Sequence, residues 1–336
     1  DELGHKTQYD YDAKGNLLKK TEAVGRPEQR VTEYENDQYG QITKETLKGA
    51  TFTLPGGQNY TQPDRIRRYD YDVYGNRTQM TDSLTHSTRI DHDRRGRILT
   101  LIDASAKLWR QSLDAAGQVQ MRKNPLNDEV RFDYDKVGNL VKVTDAMFKA
   151  WEAGYEKNNR LFTRRNPLGQ TLQRQYDPIG RVVSEFDPLG KTLYTLGYDS
   201  RGRIVSNTDA AGNITKSTWD DSVESNGVLQ TESFGVKQRY TYDARGRVTE
   251  TQDEAMVGGQ VQTTTRKTRY DLRGQQVEIT DKQNNKTQLS YDALGRITHV
   301  TDALNGITRF TWDHADNLLA VTDAQGSTTR YTYDAE

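Results

Sequence analysis

A tyrosine–aspartate turn recurs along the whole chain at a near-constant interval, and no other feature restricts the possible folds as strongly. The motif reads Y-D-x-x-G followed by Asn, Arg or Gln, as in Tyr71-Asp72…Gly75-Asn76, Tyr134-Asp135…Gly138-Asn139, Tyr242-Asp243…Gly246-Arg247 and Tyr291-Asp292…Gly295-Arg296. Its aspartate slot falls at residues 12, 37, 72, 93, 114, 135, 156 (Glu156), 177, 199, 220, 243, 271, 292, 313 and 334, and nine of the fourteen intervals are 21 residues. A fixed period of this size marks a repeat architecture. Function must then be sought in what many similar units do together.

One repeat reads as a β-hairpin. Residues 287–291 are rich in β-formers and end at Asp292, a residue type that accepts backbone N–H bonds from positions just ahead of it in a turn. Gly295 suits the left-handed backbone that closes a type I turn with a bulge. Residues 296–301 form the return strand, and Asp302-Ala303-Leu304-Asn305-Gly306 makes a second turn before the next hairpin. Eleven copies carry glycine at the closing position; Asn159 and Asp316 stand there in two others, types that tolerate the left-handed region next best. Val223 alone breaks the rule, inside an irregular stretch at 220–235. Gly75, Gly138, Gly246 and Gly295, with Asp72, Asp135, Asp243 and Asp292, are the expected turn-forming residues.

No segment between turns sustains helical periodicity. Strand alternation is imperfect too: Ile297 and Val300 are three apart and would face opposite ways in a regular strand. A bulge, or partial cover on both faces, accounts for that. The period stretches at 37–72, 220–243 and 243–271. The repeat resumes unchanged after each, so these are expected to be longer hairpins or loops within one array spanning 1–336, not linkers.

About two strands per unit give on the order of 30 strands, whereas open twisted sheets rarely exceed ~10 without curling or closing. Only 33% of residues are hydrophobic, below the usual globular share. The expectation is an all-β fold: tandem hairpins in a long antiparallel sheet, coiled into a spiral wall around a cavity that it does not fill.

Charge and residue usage narrow the function. With 47 basic and 48 acidic residues there is no basic footprint for nucleic acid; local Arg-Gly-Arg triplets such as 95–97 sit at hairpin ends beside acidic turns. No cysteine is present, which rules out disulfides and thiolate metal sites. No apolar run reaches the ~18 residues of a membrane span. The chain opens at Asp1 without a signal peptide and stops inside a repeat, while solenoid ends carry capping units. It is therefore expected to be a segment cut at both ends from a longer protein.

The repeated Y-D-x-x-G-[NR]-[LIV], followed by T-D-x-x-G-x-x-T, resembles the YD repeats of the Rhs family over residues 9–336. Bacterial Rhs polymorphic toxins, insecticidal toxin complex B and C subunits and animal teneurins share it. The resemblance implies a hollow β-spiral shell, enclosing a toxic C-terminal domain in bacterial members and supporting adhesion in teneurins. Teneurins add disulfide-rich modules, so the lack of cysteine favours the bacterial branch. Implied partners are the rest of the same polypeptide, the enclosed toxin, and secretion-apparatus or chaperone proteins. Implied localisation is bacterial, with secretion or delivery into target cells, type VI secretion being the route by family association. Bacterial shells often end in paired D-P-x-G motifs where self-cleavage occurs. Here Asp187-Pro188-Leu189-Gly190 is followed after 18 residues by Asp209-Ala210-Ala211-Gly212. That spacing is one repeat length and the second proline is missing, so both are read as ordinary turns.

No catalytic residue, metal or cofactor is expected. The histidines, His5, His86, His92, His299 and His314, show no metal-ligand spacing and are read as solvated strand or turn residues. The aspartates lack the tandem nonapeptide of calcium β-rolls, and no phosphate-binding loop accompanies the D-x-x-G turns. Tyrosines are the remaining candidates. Tyr71, Tyr134, Tyr176, Tyr198, Tyr240, Tyr242, Tyr291 and Tyr333 precede the turns, often as Tyr-x-Tyr. They are expected to stack across repeats as aromatic ladders that stabilise the sheet. The alternative function is an extracellular module that binds a glycan or receptor through those ladders.

Overall fold

The computed structural model describes residues 1–220, 228–233 and 236–334, and among them it holds 31 strands and no helix. The described residues fall into two compact units, Asp1–Lys107 with Arg266–Glu336, and Leu108–Thr265. Within each unit, consecutive strands pair antiparallel through alternating YD turns and second turns.

Most YD hairpins carry the same irregularity; the pairing of Ile214–Asp220 with Val228–Ser233 keeps an unbroken register instead. Opposite Tyr291 stands Ile297, but opposite Ser290 stands His299, so Thr298 is an extra residue on the return strand. The same shift precedes Tyr71, Tyr134, Tyr155, Tyr176 and Tyr198. The bulge resolves the broken alternation. With one residue looped out, Ile297 and Val300 lie on the same face as Tyr291 and Leu289. Each repeat thus has an apolar face built from tyrosines and return-strand aliphatics. Its other face is polar: Arg131 and Asp133 are exposed while Val130, Phe132 and Tyr134 are half-buried.

The long interval at 37–72 is an inserted hairpin, Ala50–Thr53 with Asn59–Gln62, forming its own two-stranded sheet. The main sheet closes behind it, Ile42–Leu47 pairing directly with Arg65–Tyr71. At 243–271 the strands lengthen instead, Val248–Val257 and Gln260–Tyr270. Gly258 and Gly259 between them take φ of 59° and 80°. The irregular position Val223 lies outside the described residues.

Among the described residues, the buried apolar side chains all lie in the first unit: Ala23, Leu54, Tyr69, Ala293, Leu319 and Ala320. In this unit, amino-terminal segments meet carboxy-terminal turns and strand ends at a seam of side-chain bonds. There Glu28 accepts the Ala293 N–H at 2.5 Å, Gln62 accepts that of His314 at 2.9 Å, and Arg330 donates to the Pro55 carbonyl at 2.6 Å. Among the described residues of the second unit, no apolar side chain is fully buried. Along Glu129–Tyr134, for instance, the apolar face is half-buried at Val130, Phe132 and Tyr134.

Candidate functional site

The repeated turn is the most conspicuous constellation, and its chemistry is fully used in holding itself. The Asp72 N–H donates to the Asn76 carbonyl at 2.9 Å, and the Gly75 N–H returns to the Asp72 carbonyl at 3.1 Å. Asp72 Oδ1 accepts the N–H groups of Tyr74 and Asn76, both at 2.9 Å, and Oδ2 accepts Asn76 Nδ2. Asp135 repeats the pattern with Val137 and Asn139, and Asp243 and Asp292 with arginine in the last slot. Gly75, Gly138, Gly246 and Gly295 all sit at φ between 76° and 96°. Asp187 and Asp209 accept bonds in the same way, so the two D-x-x-G copies spaced like a cleavage pair are ordinary second turns.

The carboxylates of Asp72, Asp135 and Asp243 are held below their ordinary range. For Asp72 and Asp135 the main cause is the asparagine side-chain bond, for Asp243 that of Arg247. The Arg97 side chain, with backbone donors, lowers Asp93 to about 2.

The residue after the glycine links one turn to the next. Asparagine bonds its own turn aspartate, and Asn139 Nδ2 also donates to Asn159 Oδ1 of the next turn at 3.1 Å; glutamine reaches forward to a glycine carbonyl, Gln118 Nε2 donating to that of Gly138 at 3.0 Å and Gln275 to that of Gly295 at 2.8 Å. Arginine does both. Arg181 Nε pairs with Asp177 at 2.6 Å while its Nη1 reaches the Asp199 carbonyl at 3.4 Å.

The tyrosines are tethers. Tyr134, Tyr176, Tyr198, Tyr291 and Tyr333 each donate their hydroxyl to the first carbonyl of the preceding return strand, at Val119, Leu161, Val182, Gln276 and Leu318, over 2.6–3.1 Å. Tyr71 reaches Ile42 at 2.8 Å across the inserted hairpin, so topology and not sequence distance sets the partner. Tyr240 bonds Gln238 on its own strand. The position fifteen residues before Tyr242 lies outside the described residues. Sequence reasoning missed two members of this set. Trp312 and Trp219 stand in the tyrosine slot and donate indole N–H to Ile297 and Ile204, at 2.7 and 3.4 Å; the signal was an N–H donor in a hydroxyl's place.

The expected ring-on-ring ladder takes another form. Successive rings lie two strands apart, roughly 9.5 Å at ordinary strand spacing, too far to stack. Arginine from the preceding turn fills the gap: Arg160 lies 4.8 Å from the Tyr176 ring centre, Arg181 4.4 Å from Tyr198 and Arg203 5.0 Å from Trp219. The ladder alternates guanidinium and aromatic ring, a cation–π arrangement.

Two further places stand out. On the apolar face of the second unit, Leu140, Val143, Trp151, Tyr155, Leu161 and Leu172 line an open depression of about 530 Å³. In the first unit, His314 departs from the solvated turn residue expected of it. It is only 9% exposed, because the inserted hairpin lies over its turn, with the Phe52 ring edge-on at 5.0 Å.

The teneurin YD-shell family model matches residues 2–214, and the RHS repeat model matches 270–307 and 312–336. Among solved structures, the chain is similar to the crystal structure of TcdB2-TccC3, at 14% identity and a TM-score of 0.61, covering 98% of this chain and 22% of that one. It is similar to TcdB2-TccC3-Cdc42 at 14% identity and a TM-score of 0.61, covering 96% and 21%. The Photorhabdus luminescens Tc holotoxin pore gives 13% identity and a TM-score of 0.60, covering 96% and 21%. The likeness is one of fold, and this chain spans about a fifth of the length of those chains. A comparison with curated proteins finds no sequence match.

Proposed function

Because the chain belongs to the teneurin YD-shell family, we propose that it is a wall segment of a shell that encloses a polypeptide cargo, a toxic C-terminal domain of its own polypeptide, until delivery. One observation carries this reading. The repeats make a sheet with a solvated polar face and an apolar face, and among the described residues of the second unit that apolar face is nowhere fully buried. An apolar sheet face left open to water is unfavourable, and a wall around an apolar or unfolded polypeptide covers it. The rim tethers fit the same role. They join hairpin to hairpin by side-chain bonds to carbonyls, so the sheet holds together without a second layer beneath it.

The role is steric and needs no chemistry from the wall. Partners in this reading are the remaining shell and its cargo, with secretion-apparatus or chaperone proteins before export from a bacterial cell. The tyrosines offer little to sugars, since their hydroxyls are engaged by carbonyls and guanidinium groups lie against several rings.

Limited proteolysis of the full-length protein tests the proposal. A C-terminal cargo domain should resist protease while the shell is intact and be digested once the shell is opened. Cargo cut at the same rate in both states, together with saturable glycan binding by this segment, would replace enclosure with the adhesion reading.

A further inference from the structure

The seam of the first unit contains a polar group with no partner. His314 occupies the second position of the 313–316 turn, where the corresponding residues Val73, Lys136 and Pro188 are exposed, Val73 by 93%. Here the 50–62 hairpin closes over it. Its backbone N–H donates to Gln62 Oε1 at 2.9 Å, its carbonyl accepts Arg30 Nη1 at 3.3 Å, and Phe52 covers the ring. Its ring Nδ1, however, is sealed from solvent with no hydrogen-bond partner, as is Nε2 of Gln62, the residue that accepts its backbone N–H. Nδ1 is tolerable there as a bare lone pair. As an N–H it would be a buried donor on a buried cation, with nothing to receive it.

We propose that this seam is an acid-sensitive closure: protonation of His314 releases the 50–62 hairpin from the 313–316 turn and parts the amino-terminal strands of the first unit from its carboxy-terminal ones.

The surrounding charges do not rescue the cation, because each is already engaged. Asp313 is wholly buried and caps its own turn, accepting from Ala315, Asn317 and the Asn317 amide. Asp316 is shared between Arg30 at 2.8 Å and Arg296 at 3.1 Å. Arg30 also holds Glu22 at 2.7 Å, and Lys20 holds Glu22 at 2.9 Å. On the hairpin side, Lys48 pairs with Asp64, and Tyr60 is the only titratable group of the hairpin itself. Two guanidinium groups therefore stand near the imidazole, and neither adjoining carboxylate is unengaged.

Burial, with Arg296 and Arg30, depresses the imidazole below its ordinary 6.5, while the Lys48 backbone and Asp313 only partly oppose this. The closed seam thus favours neutral His314, and the opened seam binds the extra proton. Closure is complete above about pH 6.5 and weakens as pH falls below it.

Hydrogen exchange on the whole chain, read at 50–62 and 313–320 between pH 7.5 and 5, tests this. Below about 6.5, protection there should fall by up to about tenfold per pH unit, while distant hairpins such as Glu129–Tyr134 with Leu140–Thr144 hold theirs. H314Q should abolish the pH dependence, and H86Q, at an exposed histidine paired with Asp82, should leave it intact. An undiminished fall in H314Q, or none in the wild type, overturns the proposal. A second readout needs no substitution: NMR titration of the His314 ring should show its midpoint coinciding with the loss of protection. A ring that titrates while the seam stays protected refutes the closure as surely.

Discussion

Removing one hydroxyl tests whether the wall is held by its rim. In Tyr176→Phe the ring keeps its place against Arg160, 4.8 Å from its centre, but the 2.7 Å bond to the Leu161 carbonyl is lost. A net intramolecular hydrogen bond contributes about 1 kcal/mol, and water reaches this half-buried rim, which limits the penalty for the abandoned carbonyl. Local opening of Leu161–Arg165 and Thr171–Tyr176 should then become roughly fivefold more frequent, a factor that follows from about 1 kcal/mol. Tyr176→Ala also removes a half-buried ring, about 2 kcal/mol by area, and a partly exposed cation–π contact, about 0.5 kcal/mol. The truncation should therefore cost about 3–4 kcal/mol locally. Hydrogen exchange resolved to single strands is the right assay, because an array loses stability repeat by repeat and a global midpoint averages it away. Tyr240→Phe is the control, since its hydroxyl bonds Gln238 on the same strand and joins no two hairpins. Trp312→Phe deletes the equivalent donor at 2.7 Å and should behave like Tyr176→Phe. Equal effects from Tyr176→Phe and Tyr240→Phe would refute the tether.

Gly246→Val and Gly295→Val should each destabilise their hairpins by about 1–3 kcal/mol, because a β-branched residue fits positive φ poorly. Gly246 has open space around a new Cβ and isolates the backbone cost, whereas Gly295 adds contacts with Gln275 at 3.3 Å and Arg273 at 3.4 Å. Exchange in each hairpin, compared with Leu304→Ala at a 90% exposed turn tip, measures both. In acid the turn carboxylates of Asp72, Asp93 and Asp135 act together. Their folded values lie below 3.8, that of Asp93 at about 2. The stability they confer is whole above pH 4 and is lost between about pH 4 and 2, as circular dichroism against pH should show. In Asp93→Asn, the part of that loss arising at this turn should disappear. Gln62→Leu removes the acceptor of the buried His314 N–H and should cost about 1–3 kcal/mol at the seam. Exchange at 313–320 should report it, with no change in the second unit.

The sequence by itself determined the local fold. A period of 21 residues, aspartate opening and glycine closing each turn, and β-rich segments between them leave a hairpin array as the only solution, because those preferences act within a few residues of one another. It also marked the tyrosines, though not their work. A hydroxyl on one strand and a carbonyl on the strand beside it meet only once pairing and bulge have set the register, and the same register shows why Ile297 and Val300 share a face. The arginine between successive rings was hidden for the same reason, since strand spacing decides whether rings touch. What only tertiary structure decided is where burial falls. The stretch at 37–72 shows its length in sequence but not its destination. Docked on a turn far along the chain, as the 252-residue separation of Gln62 and His314 records, it converts an ordinary turn histidine into a buried one. Contacts between segments so far apart depend on how twist accumulates over every intervening strand, and no local pattern of residues encodes that sum.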